Sequence, residues 1–289
     1  TGTTVRVSRN AAGEPGNADS YEVTITADGR YAVFWSDATN LVPADTNGMA
    51  DCFVRDLHLG TVERISNGLA GAQANGASYF PTITPDGRYV AFSSDASNLV
   101  AGDSNGASDV FRLDRATGQI ELASRTPLGT SGNGASSADA WAIVSDDGRH
   151  VVFHSLATAL PPADTNGTYD AFVRDFALGT TTRISLAANG AQGNGESYLP
   201  SISADGRYAT FASTASNLVF GDGNAAHDCF RFDLATGALV CISRTPNGAV
   251  GNGGSYGAMP SADGRHIVFM SEATDLVPGD SNVVNDAFV

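Results

Sequence analysis

Residues 82–95 read Thr-Ile-Thr-Pro-Asp-Gly-Arg-Tyr-Val-Ala-Phe-Ser-Ser-Asp, and this stretch recurs along the whole chain. The Asp-Gly-Arg triplet occurs five times, at 28–30, 86–88, 147–149, 205–207 and 263–265. Successive copies begin 58, 61, 58 and 58 residues apart. A period of this length is typical of propellers and solenoids, in which each repeat buries its faces against its neighbours. The repeat therefore predicts a single domain over residues 1–289.

Each repeat contains four short alternating runs of β-branched and aromatic residues, separated by Gly, Asn, Asp and Pro. No window shows the periodicity of a helix. In the second repeat we predict strands at about 79–84, 89–94, 109–114 and 119–124. The pattern favours an all-β, five-bladed β-propeller of four-stranded antiparallel blades. The predicted repeats are 9–66, 67–124, 125–185, 186–243, and 244–289 completed by 1–8.

The two ends of the sequence predict how such a ring would close. The chain stops partway through a third strand at Asp286–Val289 and begins with a fourth-strand pattern at Thr3–Ser8. We therefore expect the amino-terminal strand to complete the last blade and cover its free edge. In a meander the connections alternate between two faces, so the long loops share one face. We expect any binding to occur on that long-loop face.

The phrase Pro-Asp-Gly-Arg-Tyr-Val-Ala-Phe-Ser-Ser-Asp, followed by Asp-Val-Phe-x-x-Asp-x-x-Thr-Gly, resembles the repeat of the TolB-type propellers, which are related in shape to WD repeats. The resemblance covers essentially the whole chain. It implies a bacterial periplasmic or extracellular protein, because such repeats occur in secreted binding proteins and as accessory domains of peptidases. TolB-type domains commonly have six shorter blades, so five blades is a departure from that pattern.

Composition narrows the possible partners of the protein. The net charge is -15, with 25 Asp, six Glu and no Lys. A chain this acidic, without a basic stripe, is not expected to bind nucleic acid or an anionic membrane. No apolar run approaches the roughly 18 residues of a membrane helix, so we expect no membrane insertion. We expect a monomer whose partner is a protein, a peptide or a carbohydrate.

The long loop of every repeat carries the pattern Asp-x-Asn-x-x-x-Asp. Oxygen ligands at such spacing suit Ca²⁺, although two carboxylates per loop imply modest affinity and the EF-hand glycine and terminal Glu are missing. The alternative is that these side chains only form turns with the backbone. The predicted ligands are Asp45, Asn47, Asp51, Asp103, Asn105, Asp109, Asp164, Asn166, Asp170, Asp222, Asn224, Asp228, Asp280, Asn282 and Asp286.

A second recurring element, Asn-Gly-x-Ser-Tyr, precedes the first strand of each repeat, with variants in two of them. Because the first strand is innermost in a propeller, we expect its rings at the mouth of the central channel, where they could bind a sugar or a peptide. Packing of the rings between blades is the alternative reading. The candidate ligand-binding residues are Tyr21, Tyr79, Trp141, Tyr198 and Tyr256.

Three cysteines are present, and two of them flank one predicted hairpin. Cys229 and Cys241 fall at nearly opposite positions, which allows a cross-strand disulfide in a secreted protein. The alternative is that both are small apolar strand residues. No spacing fits a zinc site.

Three functions remain open at this point. We expect a non-catalytic binding or scaffold propeller stabilised by Ca²⁺. An alternative is a propeller-type polysaccharide lyase or glycoside hydrolase with its site at the channel mouth near Trp141, for which the irregular acids Asp139 and Asp146 are the first candidates. The third is an accessory domain of a larger secreted enzyme.

Overall fold

The computed structural model describes residues 2–137, 140–162, 164–282 and 284–289. These residues form nineteen β-strands and one short 3-10 turn at Leu69–Gly71.

The first sheet contains β1 (Ser20–Ile25), β2 (Tyr31–Ser36), β3 (Asp51–Asp56) and β4 (Thr61–Arg64). The second contains β5 (Ser78–Ile83), β6 (Tyr89–Ser94), β7 (Asp109–Asp114) and β8 (Gln119–Leu122). The third contains β9 (Ile143–Val144), β10 (His150–Ser155), β11 (Asp170–Asp175) and β12 (Thr180–Arg183). The fourth contains β13 (Ser197–Ile202), β14 (Tyr208–Ser213), β15 (Asp228–Asp233) and β16 (Ala238–Cys241). The fifth contains β17 (Ser255–Pro260), β18 (Ile267–Ser271) and β19 (Asp286–Phe288).

Every sheet is an antiparallel meander in chain order, as the repeat predicts. The four strands of the second sheet lie within two residues of their predicted bounds. The first strands of consecutive sheets contact one another, from β1 through β5, β9 and β13 to β17. The five sheets therefore pack as successive blades whose first strands adjoin one another, and we call these first strands the inner strands.

The core repeats with the sequence. In each sheet a phenylalanine of the second strand stacks on one of the third strand, with ring centroids 5.4 to 5.7 Å apart. Buried aliphatic side chains from one sheet then pack against the next sheet. The stacked pairs are Phe34–Phe53, Phe92–Phe111, Phe153–Phe172, Phe211–Phe230 and Phe269–Phe288.

The Asn-Gly-x-Ser-Tyr element joins the two long loops of a sheet. Asn75 Oδ1 accepts the backbone N–H of Ser97, while its amide donates to the Ser97 hydroxyl. The Ser78 and Ser94 hydroxyls bond at 2.9 Å and hold the start of β5 to the end of β6. Gly76 has no room for a side chain, because a Cβ there would lie 2.5 Å from the Asp95 backbone. The Asn, Gly and Ser of this element are therefore structural.

The fifth sheet is where the predicted ring closure should occur. In the described part of the chain, β19 pairs only with β18, and residues 2–6 lie outside any strand. Val7 does pack beside Phe34 and Leu41, in the place that the equivalent Ile65 takes against the second sheet. Closure by a strand pairing at β19 stays a prediction.

Two apolar sheet faces are consequently uncovered. Val268 of β18 is 47% exposed, whereas its counterparts Val33, Ala91, Val152 and Thr210 are fully buried under the following sheet. On the first sheet, Val23 and Ile25 of β1 are exposed. In the part of the chain that the structure describes, no helix is long and apolar enough to cross a bilayer.

Candidate functional site

The inner strands share a backbone feature that the sequence pattern does not predict. Each of β1, β5, β13 and β17 has a register shift immediately after its tyrosine. The residue that follows the tyrosine adopts positive φ, namely +52° at Glu22, +54° at Phe80, +48° at Leu199 and +68° at Gly257. Left-handed backbone at a bulky residue such as Phe80 costs about 1–3 kcal/mol, and such strain is concentrated at functional sites.

Phe80 belongs to a continuous row of aromatic rings across the first three sheets. Tyr21 stacks on Trp35 with centroids 4.1 Å apart, and Trp35 meets Tyr79 edge-on at 5.3 Å. Phe80 contacts Trp35 at 6.2 Å and Trp141 at 6.3 Å. We call these five residues the aromatic row. Tyr21 and Trp141 remain 39% and 43% exposed, so both ends of the row are accessible.

Carboxylates border the aromatic row. The Tyr21 hydroxyl donates to Asp19 at 3.3 Å, and the Trp35 indole N–H donates to Glu22 at 3.2 Å. Partial burial is the main cause of the raised pKa of Tyr79, and the negative charge of Asp95 raises it further. Burial followed by Asp19 likewise raises the pKa of Tyr21. The row therefore presents apolar ring surface within a negatively charged border.

Tyr198 and Tyr256 form a separate cluster around a histidine. The His227 ring meets Tyr198 at 5.4 Å and Tyr256 at 6.4 Å, both edge-on. The Tyr256 hydroxyl donates to Glu272 at 2.9 Å and lies 2.7 Å from Asn285 Oδ1. The five predicted ligand-binding aromatics thus divide into two groups, and only Tyr21, Tyr79 and Trp141 belong to the row.

An apolar cavity of about 360 Å³ lies beyond Trp141. It is bounded by Leu199 of β13, Met259 of β17 and Val268 and Met270 of β18. Because the β18 face is covered by a following sheet in every other blade, this cavity marks the uncovered face of the fifth sheet. The polar groups of its lining side chains are the Ser201 hydroxyl and the Trp141 indole N–H, so the lining offers no acid or base.

Of the two irregular acids expected for an enzyme, the structure describes only Asp146, and this residue does not lie at the mouth. Asp139 lies outside the described residues. Asp146 lies in the turn between β9 and β10, at the end of the sheet away from the long loops, where burial raises its pKa.

The Asp-x-Asn-x-x-x-Asp loops form internal hydrogen-bond networks. In the second sheet Asn105 donates to Asp109 at 2.7 Å and to the Gly132 carbonyl at 2.7 Å, and the Ser124 hydroxyl also donates to Asp109. The Ala107 N–H donates to Asn105 Oδ1. Equivalent Asn bonds occur in the first and fourth sheets. In these three sheets the asparagine therefore connects its loop to the start of the third strand and to the loop that follows the fourth strand.

An arginine at the end of the fourth strand neutralises this network in two sheets. Arg64 lies 3.2 Å from Asp45 and 3.4 Å from Asp51. Arg183, which is fully buried, lies 3.8 Å from Asp164 and 3.5 Å from Asp170. Among the described residues, no group of three or more His, Cys, Asp or Glu side chains is arranged to hold a metal ion. Calcium at these loops stays a prediction.

The cysteines are not joined by a disulfide. Cys52, Cys229 and Cys241 are all free and buried. Cys241 pairs with Phe230, one residue from Cys229, so the two side chains point to opposite faces of the sheet. Cys229 consequently packs toward the fifth sheet and Cys241 toward the third. The disulfide alternative was wrong, and the small apolar interpretation is correct.

Three residues of these sites were missed from the sequence. Trp35, Phe80 and His227 each occupy a position that varies between repeats, beside a neighbour that recurs: a Phe before Trp35, a Tyr before Phe80 and an Asp after His227. Such variation within a constant frame is the signal that could have identified them. The left-handed backbone at Phe80 has no comparable signal.

These observations define an all-β fold of five successive blades with a row of aromatic rings on its inner strands, and comparison with solved structures shows that this fold is similar to that of TolB propellers. No protein-family model matches the chain, and no curated protein does. A TolB structure from Agrobacterium tumefaciens is 19% identical, with a TM-score of 0.50, over 91% of this chain and 73% of that chain. An oligogalacturonate lyase from Vibrio parahaemolyticus is 13% identical, with a TM-score of 0.56, over 94% of this chain and 67% of that chain.

TolB from Acinetobacter baumannii is 19% identical, with a TM-score of 0.46, over 90% of this chain and 53% of that chain. The chain thus spans about half the length of that TolB protein. At such identities the likeness to solved structures establishes the fold, and function must be argued from the site.

Proposed function

We propose that the protein is a non-catalytic binding propeller that holds a peptide segment of a partner protein on the aromatic row. The observation that carries this proposal is Phe80, a bulky residue held at φ +54° in contact with both Trp35 and Trp141. Glu22 and Leu199 share this backbone conformation, so what distinguishes Phe80 is that the strained backbone presents a partly exposed aromatic ring, which favours a role in binding.

The chemistry around the row favours a peptide with an apolar anchor and a basic residue. Its rings offer apolar surface with little rotational freedom to lose on binding, and Asp19 and Glu22 border them. A ligand with Lys or Arg beside its anchor would complement these carboxylates and the overall charge of -15. A carbohydrate ligand is less favoured, because Tyr21 stacks on Trp35 and so covers ring faces on which a sugar ring would otherwise stack.

Tryptophan fluorescence offers a direct test, because the two tryptophans of the chain, Trp35 and Trp141, both lie in the row. Random peptides displayed on phage would be selected on the immobilised protein and then titrated while tryptophan emission is measured. We expect Trp141→Ala to weaken binding about tenfold, which corresponds to ~1.4 kcal/mol. Leu178→Ala is the matched control, since Leu178 is exposed in the turn between β11 and β12 at the opposite end of the sheet. Failure to enrich any peptide, or equal loss in both variants, would contradict the proposal.

A propeller-type lyase or hydrolase is the alternative, and a turnover assay separates it from binding. The protein would be incubated with oligogalacturonate and with other acidic and neutral oligosaccharides, and products would be followed by mass spectrometry. If the protein turned over one of these substrates, and a substitution at the channel mouth abolished that turnover, catalysis would replace binding as the proposed function. The scarcity of ionisable groups in the cavity beside Trp141 supports binding over catalysis.

We propose a periplasmic or extracellular location and a monomeric state, in keeping with the resemblance of the repeat. Fractionation of cells that express the native gene, followed by light scattering on the purified protein, tests both. The same experiment addresses an accessory domain of a larger secreted enzyme, because an antibody against this region would then detect a band much larger than 29.6 kDa.

A further inference from the structure

The second sheet differs from its neighbours in how its long-loop carboxylates are neutralised. The last residue of the fourth strand pairs with the third-strand phenylalanine in each case, as Arg64 does with Phe53 and Arg183 with Phe172. Leu122 occupies the same register position opposite Phe111. In the first and third sheets this position places a guanidinium between two aspartates. The same two carboxylates in the second sheet have no such cation.

The carboxylates that lack this arginine are deeply buried. Asp109 is fully buried and Asp103 is 9% exposed, and neither forms an ion pair among the described residues. The two carboxyl groups lie close enough for each to affect the pKa of the other. One buried oxygen, Asp103 Oδ1, has no hydrogen-bond partner. Arg125, three residues after Leu122, lies beside Gly129 and does not act on the pKa of Asp103.

The other two loops do not share this arrangement. In the fourth sheet Cys241 takes the arginine position, but Arg244 acts on Asp222 and Asp228 and lowers the pKa of both against the larger effect of burial. In the fifth sheet Asp280 and Asp286 are partly exposed, and water can solvate them. Among the described residues, the second loop is therefore the one whose two paired carboxylates are both buried and lack a neighbouring cation.

We infer that the Asp103–Asp109 loop binds one divalent, oxygen-preferring cation of the Ca²⁺ class, in the place that a guanidinium occupies in the first and third sheets. Two carboxylates match a divalent charge, and oxygen donors select hard cations. The Ser131 hydroxyl, which accepts the Ser104 N–H and lowers the pKa of Asp103, and the Gly132 carbonyl, which accepts from Asn105, supply neutral oxygens beside the two carboxylates. Only two of these ligands are ionisable. The site is therefore smaller than a group of three His, Cys, Asp or Glu side chains, and no such group occurs among the described residues.

The competing way to neutralise the pair is a proton shared between the two carboxyl groups. Burial is the main reason why the pKa of Asp109 is raised to about 7, and Asp103 adds to that effect. A shared proton predicts a protein that does not respond to calcium at neutral pH. The two explanations therefore give opposite results in one experiment, and neither depends on the peptide proposal.

The test is thermal unfolding of the purified chain at pH 7.5, in EDTA and in increasing CaCl₂. We expect calcium at about 100 times its Kd to raise Tm by roughly 4 °C. Calorimetric titration should give one calcium ion per chain. Leu122→Arg introduces a guanidinium at the position that Arg64 and Arg183 occupy in the first and third sheets. This variant should have a higher Tm in EDTA and should show no response to calcium. Leu122→Met conserves volume without charge and should keep the response.

A second pair of variants keeps the test valid if Leu122→Arg fails to fold. Asp103→Asn should lose the calcium response, whereas Asp45→Asn in the first loop should keep it. No rise in Tm for the wild type, an unchanged rise in Leu122→Arg, or more than one ion per chain would each overturn the inference.

Discussion

The ring of Tyr89 lies directly against Gly148 of the next sheet, so that a Cβ at residue 148 would fall 2.0 Å from Tyr89 Cδ2. Gly87 meets Tyr31, Gly206 meets His150 and Gly264 meets Tyr208 in the same way. The Asp-Gly-Arg triplet is therefore a contact between successive blades as well as a turn. Gly29, in the first sheet, has no described residue within 4 Å of its Cβ position.

Gly148→Ala and Gly29→Ala should consequently differ in stability. Both glycines have φ near +70°, so both substitutions carry the left-handed cost of about 1 kcal/mol. Gly148→Ala must also displace the Tyr89 ring, and overpacking adds roughly 1–3 kcal/mol. Urea unfolding of the two variants measures the difference. Equal losses would show that the Tyr89 ring moves away without cost.

Arg149 and Asp175 lead to a prediction about acid stability. Arg149 binds Asp175 at 2.6 Å, and the same Arg–Asp pair occurs in the first, second and fourth sheets. Burial alone would raise the pKa of Asp175, but hydrogen bonds from Arg149 and the Leu178 N–H lower it to about 2. A depressed carboxyl pKa stabilises the fold above about pH 4, and that stability is lost as pH falls toward 2.

Arg149→Gln should therefore destabilise the protein at pH 7 by about 1 kcal/mol, a figure reduced for solvent screening around the exposed arginine. The difference from wild type should shrink between pH 4 and pH 2. Arg265→Gln is the control, because Arg265 holds the same triplet position but is highly exposed and, among the described residues, pairs only with Asp263. Unfolding curves at five pH values test the effect, and a constant difference down to pH 2 would contradict it.

The fold was predictable because the repeat makes each local signal occur five times. Strand order, turn positions and the buried faces all follow from alternation and from Asp-Gly and Thr-Gly turns. The site was less predictable because it depends on contacts between repeats. No pattern in the chain places Arg64 between Asp45 and Asp51, since their approach depends on the register of β3 with β4.

The cysteine prediction shows how small an error decides such a contact. Cys229 and Cys241 are nearly opposite in the sequence hairpin, but the observed register differs by one residue. A one-residue shift sends a side chain to the other face of the sheet. The calcium prediction treated five loops as equal, whereas the residues at the ends of β4, β8, β12 and β16 make them different.

The three buried thiols give a simple chemical prediction. Burial raises the pKa of Cys241 to about 11 and that of Cys229 further, so little thiolate is present at neutral pH. A thiol reagent should modify none of them in the native protein at pH 8 and three of them in guanidinium chloride. Fewer than three in the denatured, unreduced protein would mean that a disulfide does form.

Leu199 offers a way to measure the strain built into the inner strands. It has φ +48° and is 39% exposed, and the equivalent residue of the fifth sheet is Gly257. At an ordinary strand position glycine is less stable than alanine by about 0.5–1 kcal/mol. At residue 199 we expect the reverse order, with Leu199→Gly about 1 kcal/mol more stable than Leu199→Ala, because only alanine retains the left-handed strain. Val240 of β16, which is 41% exposed, is the control, and there Val240→Ala should be the more stable variant. If both positions favour alanine in urea unfolding, the bulge stores no strain, and the main support for a binding role of Phe80 disappears with it.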